Sequence, residues 1–255
     1  QLLGPTEDGE KCLKTLDGFE TRFPGEKSFF WEVTGLRMEC FLRLDRPKQA
    51  EAEMDEYIKR KALDTAGYVG LLEQANKYYE NTCQLPSDAL KGPSGRQSTI
   101  ALIIYKKLSS IADRNPSFQK YGQAIQLRLA QICQYENNWP LAIDSYREIL
   151  KKDPRASDVL EALGLLYEKT GQWEEAFNIW KKVSEGLETG TPAWFESRYK
   201  TAYALNRLGL NEKACAILTM TLALHPDLGD GLLKKKYHDL KTDVCNRRNS
   251  QAKTN

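Results

Sequence analysis

The chain reads as an all-α solenoid of stacked antiparallel helix pairs with a capping helix at its C-terminal end. Three observations predict this. One pattern is written twice, 34 residues apart, within 123–191: Trp139 recurs as Trp173, Ala142 as Ala176, Tyr146 as Trp180 and Ile149 as Val183. A fixed period of that length marks a stacked-repeat architecture. Elsewhere apolar residues recur at helical spacing, and no stretch shows the apolar–polar alternation of a half-buried strand.

The spacing has a steric reason. Leu129 and Ala130 recur as Leu163 and Gly164. Small residues such as Ala130, Gly164, Ala142 and Ala176 let two helix backbones approach closely, and Tyr146 and Trp180 fill the groove one turn away. Five residues before each alanine stand Asn137 and Gly171, which tolerate the left-handed conformation that ends a helix.

The second copy reads Leu160-x2-Leu163-Gly164-x2-Tyr167 and then Ala176-x3-Trp180. It resembles the tetratricopeptide repeat (TPR), whose pattern has the same period. That resemblance implies a right-handed superhelix whose first helices line an extended concave face.

Taken in order, residues 1–25 read as a partial repeat or N-terminal helix. Cys12 or Leu13, Leu16 and Phe19 share one face over 8–22, and Phe23-Pro24-Gly25 ends it. About five helix pairs follow over 26–228. Ser28–Leu44 is a first helix and Trp31-x3-Gly35 its large-then-small pair. Asp45, five residues before Ala50, repeats the offset of Asn137 and Gly171, and Ala50-x3-Met54 opens the second helix. Tyr68–Cys83 is the next first helix. The span 84–96 holds Pro86, Gly92, Pro93 and Gly95 and is expected to be a loop insertion without regular structure. Ala101-x3-Tyr105-x2-Leu108 resumes the second-helix pattern, closed by Asn115-Pro116.

After the two clear units the pattern recurs with a shift. Gly209, Ala214, Leu218 and Pro226 match Gly171, Ala176, Trp180 and Glu188 at 38 residues, about one helical turn more than the period. Thr191-Pro192 supplies a cap and a first-turn proline, so this first helix is expected to start one turn early, with Trp194 on the added turn. Leu233, Tyr237, Leu240 and Val244 define a one-faced capping helix over 229–246. Residues 247–255 read as a basic disordered tail.

Composition narrows the function classes. A formal charge of +2 on 37 basic and 35 acidic residues argues against a nucleic-acid footprint spread over the protein. No apolar run nears the roughly 18 residues of a membrane span. The chain starts at Gln1 rather than Met and is expected to be a fragment or processed form. The six cysteines, Cys12, Cys40, Cys83, Cys133, Cys215 and Cys245, form no C-x2-C pair. They are expected to be buried thiols in a reducing, cytoplasmic setting.

No G-x-S-x-G, H-E-x-x-H or G-x-x-x-x-G-K-[ST] occurs. His225 and His238 have no second ligand at metal-site spacing. No catalytic residue, metal site or cofactor is expected. Lys234–Lys236 and Arg247-Arg248 carry no interleaved aromatics and read as a solvated cap.

The expected function is a non-catalytic scaffold for a protein or peptide partner. The alternative is a regulatory or substrate-recruiting arm of an enzyme whose catalytic domain lies outside this stretch. What the family resemblance implies for the concave face is Arg128, Gln131 and Tyr135, then Glu161, Leu165 and Glu168, then Tyr199, Lys200, Tyr203 and Asn206. Some family members hold chaperone C-termini in a two-carboxylate clamp of Lys, Asn, Asn, Lys and Arg. The matching positions here are Leu127, Gln131, Ala162, Glu196 and Lys200, of which only the last is basic. That departure argues against chaperone-tail binding through these units. Tyr199 and Tyr203 are expected to be exposed together, opposite the packing residues Ala202 and Leu205.

Overall fold

The computed structural model describes residues 5–25, 29–61, 63–83, 93–228 and 231–251. The described residues contain helices and turns and no strand. The chain divides into two compact units, Gln1–Ser145 and Tyr146–Asn255.

The first unit holds α1 (Pro5–Leu16), α2 (Phe19–Arg22), α3 (Phe30–Arg43), α4 (Pro47–Lys61), α5 (Thr65–Cys83), α6 (Pro93–Arg114), a 3₁₀ turn (Pro116–Phe118) and α7 (Gln119–Tyr135). Helix α8 (Trp139–Lys152) carries the boundary. Helix α3 packs on α4, α5 on α6, and α6 on α7. Tyr68 anchors the α5–α6 pair: it is fully buried, its hydroxyl donates to the Leu108 carbonyl at 3.0 Å, and its ring stacks on Phe118 at 4.1 Å. Arg37 on α3 is also buried, and donates to both Glu20 carboxylate oxygens, to Glu53 and to the Leu16 carbonyl. A guanidinium stays protonated even when buried, so its desolvation has to be offset by such partners.

The second unit holds α9 (Ser157–Lys169), α10 (Trp173–Gly186), α11 (Pro192–Arg207), α12 (Asn211–Leu224) and α13 (Gly231–Gln251). Each packs on the next along the chain from α9 to α12, and α13 packs on both α12 and α11. Gly164 explains how closely α9 and α10 approach. A Cβ there would lie 2.7 Å from Trp180 Cε2. Ala176 and Ala202 are fully buried.

Four helices end alike. Asp45, Asn137, Gly171 and Gly209 have φ of 56°, 60°, 73° and 76°. The amide of the next residue reaches back to the carbonyl five positions earlier: Arg46 to Phe41, Asn138 to Cys133, Gln172 to Tyr167 and Leu210 to Leu205, at 2.8–2.9 Å. This is the Schellman cap, which satisfies carbonyls left open at a helix end. Pro192 opens α11, and the Thr191 hydroxyl accepts from the Trp194 amide at 3.3 Å.

Several sequence expectations are corrected. The helix expected over 8–22 is two, because Gly18 takes a left-handed φ of 63° between α1 and α2. The loop expected over 84–96 gives way to helix at Pro93, whose fixed φ suits a first-turn position; the rest of that loop lies outside the described residues. Helix α13 continues to Gln251, past the expected end at 246. Two of the cysteines expected as thiols, Cys215 and Cys245, form a disulfide that ties α12 to α13. The spacing of 30 residues hid the pair because their approach depends on how α13 folds back. Cys12, Cys40 and Cys133 are free thiols. Disulfides persist in oxidising compartments, so this bond removes the support that the thiol reading gave to a cytoplasmic setting. No described helix is long and apolar enough to cross a membrane.

Candidate functional site

The ten residues expected on the first-helix face fall on α7, α9 and α11. In the first unit, α7 carries Arg128, Gln131 and Tyr135, all half-buried. The Arg128 guanidinium lies 4.5 Å over the Tyr79 ring and donates to Gln131 Oε1 at 3.1 Å. The Tyr79 hydroxyl donates to the same oxygen at 3.0 Å. Arg128 and Gln131 are therefore fixed by α5.

In the second unit, α9 presents Glu161 and Leu165 to solvent, with Leu165 47% exposed. Two turns beyond Glu161 lies Glu168, half-buried. Lys200 Nζ lies 3.9 Å from its Oε1, which is buried with no hydrogen-bond partner. Burial pushes the Glu168 carboxyl up from its ordinary pKa. Lys200 and the neighbouring Trp180 indole N–H pull it back only in part, and Glu196 adds to the rise. Lys200 also sits 4.3 Å over the Trp180 ring. Trp180 thus packs against Gly164 within its own pair and against Lys200 of the next.

The two tyrosines do share one face of α11, with ring centroids 6.3 Å apart and nearly parallel. Ala202 and Leu205 are buried behind them. Their expected exposure is corrected: both are half-buried. Tyr203 meets Trp173 edge-on at 5.8 Å, and Tyr199 meets Tyr237 of α13 at 5.6 Å. Tyr237 is itself fully buried and donates to the Phe195 carbonyl at 2.7 Å. Burial pushes the Tyr199 phenol pKa up, with Tyr203, Glu168 and Asp239 adding to it. Arg207 stacks over Trp173 at 4.8 Å, and Asn206 Oδ1 is buried without a partner.

Sequence reasoning missed the supporting layer. Trp173 and Tyr237 were visible as repeat and cap residues, but their contact with Tyr203 and Tyr199 depends on how α10 and α13 flank α11. His225 packs against Trp194 and Phe195 at 5.5 and 5.2 Å, a boundary role. No His/Cys/Asp/Glu group able to hold a metal occurs among the described residues. Within the second unit, α9 and α11 thus carry an exposed leucine, a stacked tyrosine pair and the carboxylates Glu161, Glu168 and Glu196.

Two family models, each described as tetratricopeptide repeat, match residues 159–185 and 196–227. The α9–α10 and α11–α12 pairs are tetratricopeptide repeats, and this class of fold serves as a protein–protein interaction scaffold. No curated protein matches. Among solved structures, the chain is similar to a crystal structure of nearly identical TPR-like repeats from Podosopora anserina, at 17% identity and a TM-score of 0.45, covering 90% of this chain and 100% of that one. A single-substitution variant of those repeats matches at 16% identity and a TM-score of 0.44, covering 88% of this chain and 96% of that one.

Proposed function

We propose that this chain is a non-catalytic scaffold that receives a peptide or protein segment on the first-helix face of its repeats, centred on Leu165, Tyr199 and Tyr203. The observation that carries the reading is an exposed leucine and a stacked tyrosine pair on the first helices of successive repeats. Tyrosines held by Trp173 and Tyr237 lose little further entropy on binding, which favours them as anchors. Arg128, Gln131 and Tyr135 form the corresponding face of α7. The near-neutral charge supports a protein partner over a nucleic acid.

The competing surface is the outer side of α12, where Met220 and Leu224 are 60% and 67% exposed. A photo-crosslinking residue at position 165 or at position 224, in cells that make the protein, separates the two. The proposal expects discrete partner adducts from position 165. Adducts from position 224 alone overturn it.

A further inference from the structure

The chemistry of the bound segment can be read from the charges around the same face, and this step rests on the groove reading above. Glu161 on α9 and Glu196 on α11 are exposed and form no ion pair among the described residues. Glu168, on the face of α9 shared with Glu161 and Leu165, lies close enough to Glu196 for the two carboxylates to repel. Asp239 of α13, also exposed, adds negative potential at Tyr199. The cation that Glu168 senses, Lys200, is committed: it lies over Trp180 and 3.9 Å from Glu168, too far for a hydrogen bond. Arg207 is likewise stacked on Trp173. An incoming carboxylate meets like charges, and cations that are already engaged. An incoming lysine or arginine meets Glu161 and Glu196, which have no ion pair among the described residues, and Glu168, paired only at 3.9 Å, beside the exposed Leu165.

We infer that this face selects a segment in which a lysine or arginine adjoins an aromatic or aliphatic side chain, the apolar group resting on Leu165 and the tyrosines and the cation lying among Glu161, Glu168 and Glu196. The partner is then a protein with a basic, partly apolar segment, the opposite charge to the acidic tails that a two-carboxylate clamp holds. Electrostatic complementarity of this kind acts on partner choice and on-rate more than on affinity.

The test selects phage-displayed random dodecapeptides on the immobilised 255-residue chain. A synthetic consensus peptide is then titrated against wild type, Glu161→Gln/Glu196→Gln and Leu165→Ser. The inference expects enriched peptides with a lysine or arginine beside an apolar residue. It expects binding about three- to tenfold weaker in the double carboxylate variant, the range of two exposed ion pairs, and weaker also in Leu165→Ser. Peptides without a cation that still need Leu165 overturn the charge inference and leave the groove reading standing. Basic peptides indifferent to all three substitutions bind elsewhere and overturn it too. No enriched peptide overturns the groove reading and this inference with it. Circular dichroism of each variant confirms that the fold is retained.

Discussion

Replacing Gly164 by alanine should destabilise the second unit, although alanine is the better helix former. The added Cβ would lie 2.7 Å from Cε2 and 2.8 Å from Cζ2 of Trp180, and 3.2 Å from Ile179 Cγ2. Ordinary carbon contacts begin near about 3.5 Å, so the indole or the helix must retreat by roughly 0.8 Å. The ring cannot swing into solvent: it is 3% exposed and lies beneath Lys200. Overpacking a close contact costs about 1–3 kcal/mol. Against it, removing glycine from a helix interior gains about 1 kcal/mol. The net loss should be up to about 2 kcal/mol, and about 1–3 kcal/mol relative to a glycine-to-alanine change at an open helix position, read from the urea midpoint of the far-ultraviolet circular dichroism signal. Gly70→Ala is the control, because nothing lies within 4 Å of its Cβ position; it should be neutral or stabilising. In a Trp180→Leu background most of the Gly164→Ala penalty should vanish, leaving the 3.2 Å contact with Ile179 Cγ2. A Gly164→Ala protein as stable as the Gly70→Ala control would refute the assignment of Trp180 to the Gly164 notch.

Other outcomes follow from single contacts. Reducing Cys215–Cys245, which closes a loop of 30 residues, should lower stability by up to about 3–4 kcal/mol in the chain-entropy description; a melt unchanged by reductant would show that the bond constrains nothing. Glu168→Gln should stabilise the protein at pH 7, with the difference fading as pH falls. The carboxyl's folded pKa is raised, so it binds its proton more tightly in the folded state, and the wild type loses stability as pH rises through that raised value. A constant difference across pH 4–8 would contradict this. Asp45→Gly and Asn137→Gly, at φ of 56° and 60°, should each stabilise by about 0.5–1 kcal/mol, measured by denaturant midpoint. Lys234–Lys236→Ser should leave partner affinity unchanged at moderate salt; a loss would move the binding surface to the cap.

The repeat was legible because its signals are local. Gly164 and Trp180 sit at fixed spacing, and the left-handed positions five residues before Ala50, Ala142, Ala176 and Ala214 can be counted from the sequence. What escaped depends on elements distant in sequence. The half-burial of Tyr199 follows from Tyr237, 38 residues on, and that of Tyr203 from Trp173 on the preceding helix. The disulfide escaped for the same reason. The break at Gly18 escaped because an isolated glycine in an amphipathic pattern does not reveal whether its φ turns positive.

A crystal structure of the chain bound to a selected peptide decides where the partner sits. Binding on the first-helix face places the peptide along α9 and α11, with an apolar side chain in contact with Leu165 and Tyr203. A peptide seated instead on Met220 and Leu224, on the outer side of α12, would contradict it.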